Sequence, residues 1–186
     1  MNRPVVIVDP LSSGIELAPA FKARGVPAIA ITFPHHDRIG FGTQLKTSDF
    51  IEIIPDQPGI EKLIQKFDPI AILPGTERGL PIADRLIQTL QPQFANDPGK
   101  SLHRLHKALM QEALKDAGVP ALKTLHTASE SEAEVWIQEN ELGNTPLIIK
   151  PPISAGSDKV FHISENGNWR KAFHQVLNEP SKISGK

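Results

Sequence analysis

The chain has 186 residues, of which 39% are hydrophobic and 22% charged, and its formal net charge at pH 7 is -1. This length allows one good core or two small ones, and the near-zero charge provides no basic field for nucleic acid. The sequence contains no cysteine, which excludes disulfides and thiolate metal sites and fits a reducing compartment. The apolar run near the start, residues 5–8, is too short for a signal peptide core or a membrane span. The sequence therefore predicts a cytoplasmic protein that binds neither nucleic acid nor membrane.

The first 95 residues alternate strand and helix patterns. Strand-like runs rich in apolar residues occupy residues 4–9, 28–31, 50–54 and 69–73, and apolar residues at helical spacing lie between them. Uniformly apolar runs are typical of strands buried on both faces of a parallel sheet. The pattern predicts a doubly wound parallel α/β sheet over residues 1–95.

Ligands of such sheets bind outside the carboxyl ends of the strands, so the turns after the first and fourth strands are candidate sites. The first turn contains Ser12 and Ser13, and its single glycine, Gly14, does not form the G-x-G-x-x-G fingerprint of dinucleotide binding. The second turn contains Glu77 and Arg78, which could hold a zwitterionic substrate because a carboxylate pairs with an amine and a guanidinium with a carboxylate. A local ion pair at the start of a helix is an equally good explanation.

Two groups of histidines contain side chains that metals use as ligands. His35-His36-Asp37 lies in an irregular stretch, where adjacent histidines more often face solvent. His103 and His106 lie three residues apart on a predicted helix, but no nearby side chain completes a site. We predict no metal ligand in this chain.

A breaker-rich segment over residues 91–99 predicts a domain boundary near Asn96. Beyond it, the spacing of apolar residues predicts a helix from Pro98 to about Ala117 and a strand over residues 121–125. Lys107 lies off the apolar stripe of that helix but beside other apolar residues. It is either half-buried or a lysine whose stem follows the surface.

The next stretch predicts a helix, a strand, a loop and a second strand, followed by a last helix. Ser129 and Glu132 have the spacing of a capping box. The first strand ends at Lys150, where two prolines stop the ladder because they cannot donate hydrogen bonds. A cation at a strand end beside a loop of small polar residues can hold phosphate. An ordinary surface hairpin is the alternative.

The second half resembles the start of an ATP-grasp domain in four segments, which are Lys107-Ala-Leu-Met, Gly118-Val-Pro120, Leu-Ile-Ile-Lys150-Pro and Ser154-Ala-Gly156-Ser157-Asp158-Lys159-Val160. The first half is similar to the preceding pre-ATP-grasp domain in the segments Val-Asp9-Pro-Leu-Ser-Ser-Gly14 and Leu-Pro74-Gly75-Thr-Glu77-Arg-Gly79. The segments resemble the amino-acid ligase branch, which includes L-amino acid ligases and relatives of carnosine synthase. The resemblance implies a Rossmann-like pre-ATP-grasp domain over residues 1–95 and the first ATP-grasp subdomain over residues 96–186.

The resemblance also implies roles for individual residues. Lys107 and Lys150 would reach the phosphates of the nucleotide. The loop that folds over those phosphates would contain Ser154, Ala155, Gly156, Ser157 and Lys159. Its hydroxyls and backbone N–H groups would donate to the phosphates, and Gly156 would let the loop open and close. Lys159 stands where many relatives have glycine, so it would either add a phosphate contact or stiffen the loop.

The family activates a carboxylate as an acyl-phosphate with ATP, while Mg2+ bridges the phosphates, and an amine then attacks to form an amide. The implied partners are therefore ATP, Mg2+ and a small carboxylate or amino acid. Members of this branch are about twice this length or more, because a second subdomain clamps the nucleotide from the other side. That subdomain would supply the magnesium ligands, so the resemblance implies no metal ligand or catalytic residue here.

We expect no ligase turnover from this chain alone, and we expect apolar surface on its second half that favours self-association. The sequence suits the N-terminal part of a ligase or one chain of a split ligase. A non-catalytic module that binds a nucleotide or a small carboxylate is the alternative from a different functional class.

Overall fold

A computed structural model describes residues 2–33, 45–165 and 167–179, and the histidine cluster at residues 35–37 lies outside these ranges. The chain divides into two compact units, Met1–Ser101 and Leu102–Lys186. Across the described ranges, no helix has both the length and the apolar character needed to cross a membrane.

The first unit is built on a four-stranded parallel sheet. Its strands are β1 (Val5–Val8), β2 (Ala28–Thr32), β3 (Glu52–Pro55) and β4 (Ala71–Pro74), in the order β3-β2-β1-β4. The helices are α1 (Leu17–Lys22), α2 (Ile60–Gln65) and α3 (Leu80–Leu90). The chain winds from β1 through β2 to β3 and then places β4 on the other side of β1. The carboxyl ends of β1 and β4 therefore form a topological switch point.

The two central strands form the core of this unit because their side chains are buried on both faces of the sheet. Val6, Val8, Ile29 and Ile31 pack with residues of α2 and α3. The alternate residues of β1 and β2 pack on the opposite face with α1. Each fully buried isoleucine or valine contributes roughly 1.5–3 kcal/mol, and the switch point lies at the end of a fully buried strand, β1.

The second unit contains α4 (Lys107–Asp116), α5 (Glu130–Glu139) and α6 (Trp169–Asn178) together with an antiparallel pair of strands, β5 (Leu147–Ile149) and β6 (Phe161–Ile163). Ser129 caps α5, since its side chain accepts a hydrogen bond from the backbone N–H of Glu132 at 3.3 Å, as the capping-box spacing predicts. Arg170 joins α6 to α5 through hydrogen bonds to Glu130 and Glu134. The bond to Glu134 raises the pKa of Arg170.

The predicted helix from Pro98 to Ala117 is wrong in its first half. Residues Pro98–Lys100 and Leu102–Arg104 form short 3-10 turns, and α4 begins only at Lys107. His106 has an extended backbone, with φ -89° and ψ 112°, and its ring accepts a hydrogen bond from the N–H of Leu109 at 3.3 Å. His106 therefore starts the helix instead of lying within it.

The predicted strand over residues 121–125 is also wrong, because this segment belongs to no strand or helix and pairs with none of the strands that the structure describes. The N–H of Leu122 donates at 2.7 Å to Oε1 of Gln111, a side chain of α4. The Leu122 side chain is 74% exposed. The N–H of Leu122 thus bonds to a side chain, whereas the apolar spacing had predicted a bond to a neighbouring strand.

Candidate functional site

The first residue of α4 is joined to the loop that follows β5. The backbone N–H of Lys107 donates to the carbonyl of Pro152 at 2.8 Å, and its Nζ donates to the carbonyl of Ser154 at 2.7 Å. Lys107 is half-buried and Ser154 is buried. The fold thus brings one of the two predicted phosphate-binding lysines against the first residue of the predicted loop.

The loop itself is tightly wound. The N–H of Asp158 donates to Ala155 at 3.2 Å, and the N–H of Val160 donates to Ser157 at 3.3 Å. Gly156, Ser157 and Lys159 have left-handed backbones, with φ of 62°, 58° and 54°. Within the described ranges, the N–H groups of Gly156 and Ser157 donate to no protein acceptor. Two exposed donors at the tip of a turn are suited to an anionic ligand.

Lys159 contacts a helix end. Its Nζ donates at 3.4 Å to the carbonyl of Gln175, which lies in the last turn of α6. A cation is favourable there because the helix carbonyls carry partial negative charge. Of the two possibilities that the sequence left for Lys159, this contact favours a stiffer loop over an additional phosphate ligand.

Lys150 lies at the exposed end of β5. It makes no hydrogen bond or ion pair with the part of the chain that the structure describes. It is two residues from Pro152, whose carbonyl accepts from the backbone of Lys107. The second predicted lysine therefore presents its ammonium to solvent beside the same loop.

His106, which precedes Lys107, has a structural role that the sequence did not reveal. Its Nδ1 must be unprotonated to accept from Leu109, and its ring lies 4.6 Å from that of His126, centroid to centroid. Burial lowers the pKa of His106, the charges of His126 and Lys107 lower it further, and Glu112 opposes the shift. Among the described residues, no group of three or more His, Cys, Asp or Glu could hold a metal ion.

A second cluster lies at the switch point of the first unit. Asp9 follows β1, is 1% exposed and has a left-handed backbone with φ 55°. Its Oδ2 accepts a hydrogen bond from the hydroxyl of Thr76 and lies 3.8 Å from Nε of Arg78. Its Oδ1 is enclosed and has no hydrogen-bond partner in the described chain. A buried acceptor without a partner costs about 1–3 kcal/mol, and the backbone strain adds a similar amount.

Glycines allow the two turns around Asp9 to pack backbone against backbone. A Cβ on Gly14 would lie 2.3 Å from the carbonyl oxygen of Gly75, and one on Gly79 would lie 2.4 Å from that of Val8. Either contact is far closer than van der Waals packing permits. The turns after β1 and β4 are therefore held at one fixed separation.

The sequence-predicted residues of these turns are not all in the cluster. Arg78 belongs to it, and its guanidinium lies over the ring of Phe33, 5.2 Å from the centroid. Glu77, Ser12 and Ser13 are exposed, and their side chains make no hydrogen bond in the described ranges.

Asp9 and Thr76 lie within the two turns that the sequence predicted, but no role was predicted for their side chains. A usable signal for Asp9 was present, because it is the first polar residue after a uniformly apolar strand.

Comparison with known proteins agrees with the family resemblance, although no family model matches the chain. The chain is 30% identical over 177 residues to dapdiamide A synthase from Enterobacter agglomerans, and the match covers 93% of this chain and 41% of that protein. That relative is an ATP-grasp ligase, and this chain is similar to less than half of it. The predicted resemblance is confirmed.

Solved ATP-grasp enzymes have the same fold. N5-carboxyaminoimidazole synthetase from Staphylococcus aureus matches with a TM-score of 0.59 at 15% identity, over 97% of this chain and 47% of that one. Biotin carboxylase from Campylobacter jejuni, solved as a complex with β-γ-ATP, matches with a TM-score of 0.58 at 15% identity, over 96% and 42%. The predicted α/β fold class is confirmed. The chain spans less than half the length of the relatives that it matches.

Proposed function

We propose that this chain is the phosphate-binding portion of an ATP-dependent carboxylate–amine ligase that acts through an acyl-phosphate. The observation that carries the proposal is the hydrogen bond from Lys107 Nζ to the carbonyl of Ser154. It links a lysine at a helix N-terminus to a loop with two unoccupied backbone donors. We assign residues 1–95 to the pre-ATP-grasp domain and residues 96–186 to the first ATP-grasp subdomain.

The donors around the loop fit a polyphosphate anion. The bond from Nζ of Lys107 to the carbonyl of Ser154 holds this ammonium group at the start of the loop. Lys150 adds a second ammonium, and the N–H groups of Gly156 and Ser157 add neutral donors. Compact ammonium charges act as point charges on a multiply charged ligand, so these residues would bind and orient ATP.

Bound ATP would supply the phosphoryl group that activates a carboxylate, with Mg2+ neutralising the phosphate charge. This chain's own contribution is to position the phosphates and to exclude water from them as the loop closes. We assign no magnesium ligand and no catalytic residue to the described residues. The ligands of Mg2+ would belong to the second subdomain of a complete ligase.

The test is a calorimetric titration of the chain with MgATP. Lys107→Ala and Lys150→Ala should each weaken binding about tenfold or more, because a hydrogen bond to a charged group contributes roughly 1.5–3 kcal/mol. Lys115→Ala is the matched control, since Lys115 is an exposed lysine at the other end of α4, and it should leave binding unchanged. Tryptophan fluorescence would verify that each variant is folded.

If both variants bind MgATP like the wild type, the two lysines do not bind its phosphates, and the non-catalytic module that binds a nucleotide or a small carboxylate is favoured. We also expect no ADP release when the chain is incubated with amino acids, Mg2+ and ATP. Turnover in a coupled ADP assay would contradict the assignment of the remaining catalytic groups to a second subdomain.

We further propose that the second unit associates with itself. Large apolar side chains there are exposed, including Val135 at 51% and Ile148 at 53%. Ile148→Thr keeps a β-branched residue in β5 while removing apolar surface, so it should lower the sedimentation coefficient at high protein concentration. A wild-type chain that sediments as a monomer at all concentrations would contradict this.

A further inference from the structure

We propose that His106 is a positioning residue for the phosphate site: its neutral ring holds the first turn of α4, and with it Lys107, against the loop that follows β5. Protonation of His106 releases this turn, so that phosphate binding weakens as the pH falls. This inference rests on the proposed function, since it concerns the regulation of the same site. Its physical basis is the hydrogen bonding at the start of α4.

The cap of α4 is the first step. His106 precedes the helix with an extended backbone, and its Nδ1 accepts a hydrogen bond from the N–H of Leu109 at 3.3 Å. An imidazole nitrogen accepts only while it is unprotonated, because both ring nitrogens are donors in the charged form. The usual capping residues are serine, threonine, aspartate and asparagine, whereas histidine changes its charge between about pH 5 and pH 8. The cap of α4 therefore depends on pH.

Lys107 links this cap to the loop. It is the first residue of α4 and lies in the turn that His106 caps. Its backbone N–H donates to the carbonyl of Pro152 at 2.8 Å, and its Nζ donates to the carbonyl of Ser154 at 2.7 Å. Both bonds need the backbone of this turn to stay in place. Loss of the cap reduces the fraction of molecules in which Lys107 lies against the loop, and the apparent affinity for phosphate falls with that fraction.

The surroundings of His106 oppose its protonation. The residue is 8% exposed, and the charged groups that face it are His126 from the segment before α5 and Lys107 and Glu112 from α4. Burial lowers the pKa of His106 from its usual value of 6.5, and the charges of His126 and Lys107 lower it further. Glu112 opposes this shift. The ring is therefore neutral at pH 7, and the cap is lost as the pH falls through the lowered pKa.

Titration with MgATP between about pH 7.5 and pH 5 is the first test. His106→Asn keeps an acceptor for Leu109 but does not titrate in this range, so the ratio of the two dissociation constants cancels the protonation of the nucleotide itself. The wild type should bind as tightly as His106→Asn at the upper pH and about threefold or more weakly at the lower pH. A charged ring also attracts phosphate. If the ratio stays constant, or if the wild type becomes the tighter binder at low pH, the proposal is overturned.

Further variants distinguish positioning from a purely structural role. His106→Ala removes the acceptor at every pH, so it should bind MgATP about threefold more weakly than His106→Asn throughout. His126→Asn should move the transition of the wild type to higher pH, and Glu112→Gln should move it to lower pH, because these residues shift the pKa of His106 in opposite directions. His174→Asn is the matched control, since His174 is exposed and bonds to Glu130, and it should leave the profile unchanged. Shifts in one common direction would show that the transition belongs to another group.

Hydrogen exchange measured without ligand separates this proposal from the proposed function. The backbone N–H of Lys107 bonds to Pro152, so its protection factor should fall between pH 7.5 and pH 5 in the wild type and stay constant in His106→Asn. Equal protection at both pH values would show that His106 does not position Lys107, whatever the titration gives. A wild type that binds no MgATP at pH 7.5 contradicts the proposed function, while the exchange result still decides whether His106 positions Lys107.

Discussion

Replacing Lys159 tests the strain in the loop. Lys159→Ala and Lys159→Gly both remove the hydrogen bond from Nζ to Gln175, so the comparison between them cancels that bond. What remains is the left-handed backbone, with φ 54°, which costs an ordinary residue about 1–2 kcal/mol and glycine very little. Glycine in turn costs roughly 0.4–1 kcal/mol through the greater entropy of the unfolded chain.

The difference between these terms predicts that Lys159→Gly is about 0.5–1 kcal/mol more stable than Lys159→Ala. The lost hydrogen bond is long, at 3.4 Å, and contributes about 0.5 kcal/mol at most. Lys159→Gly should therefore have nearly the stability of the wild type. The equilibrium constant for unfolding of Lys159→Ala should therefore be roughly twofold to fivefold larger than that of Lys159→Gly.

Urea unfolding followed by tryptophan fluorescence is a suitable assay. The chain has two tryptophans, Trp136 in α5 and Trp169 in α6, so the signal reports the second unit. The control is Lys171, an exposed residue within α6, where alanine should be more stable than glycine by about 1 kcal/mol. If alanine is also the more stable substitution at position 159, the left-handed backbone and the reasoning built on it are refuted.

Three further predictions concern stability. Because the pKa of His106 is lowered in the folded chain, its stabilising contribution is present above its unfolded pKa of about 6.5 and is lost as the pH falls toward the folded pKa. His106→Asn keeps an acceptor for the helix cap but does not titrate in this range. This variant should therefore lose less stability than the wild type between pH 7 and pH 5, as measured by unfolding monitored through tryptophan fluorescence. Gly79→Ala should destabilise the first unit by about 1–3 kcal/mol through its clash with Val8, as measured by circular dichroism, whereas Gly143→Ala meets nothing within 4 Å and should have little effect. Ser129→Ala should cost roughly 1 kcal/mol through loss of the α5 cap, and an unchanged unfolding midpoint would show that the cap does not stabilise the unit.

The sequence was sufficient for those elements that local patterns specify. Uniformly apolar runs identified the strands of the parallel sheet, and the serine before α5 identified its cap. The order of motifs also identified the ATP-grasp resemblance. These signals can be read locally because apolar burial and capping depend on residues that are close together in the chain.

The errors occurred where a distant or unusual partner sets the local structure. Residues 121–125 pair with no strand that the structure describes, and the N–H of Leu122 donates to the side chain of Gln111 instead. The helix predicted from Pro98 begins at Lys107, because the His106 ring caps it. Neither of these hydrogen bonds can be predicted from the spacing of apolar residues, because that spacing indicates which residues are buried and not which acceptor each backbone N–H bonds to.

The composition and order of the residues thus predicted the type of fold and the family resemblance. The contacts around Asp9 required the folded chain. Thr76 is 67 residues from Asp9 in the sequence and bonds to it only because β4 lies beside β1. An unpaired oxygen on a buried carboxylate has no signature in the sequence, because the residues around Asp9 would be the same whether or not the fold brought one more donor to it. It depends on which donors the fold places within hydrogen-bonding distance.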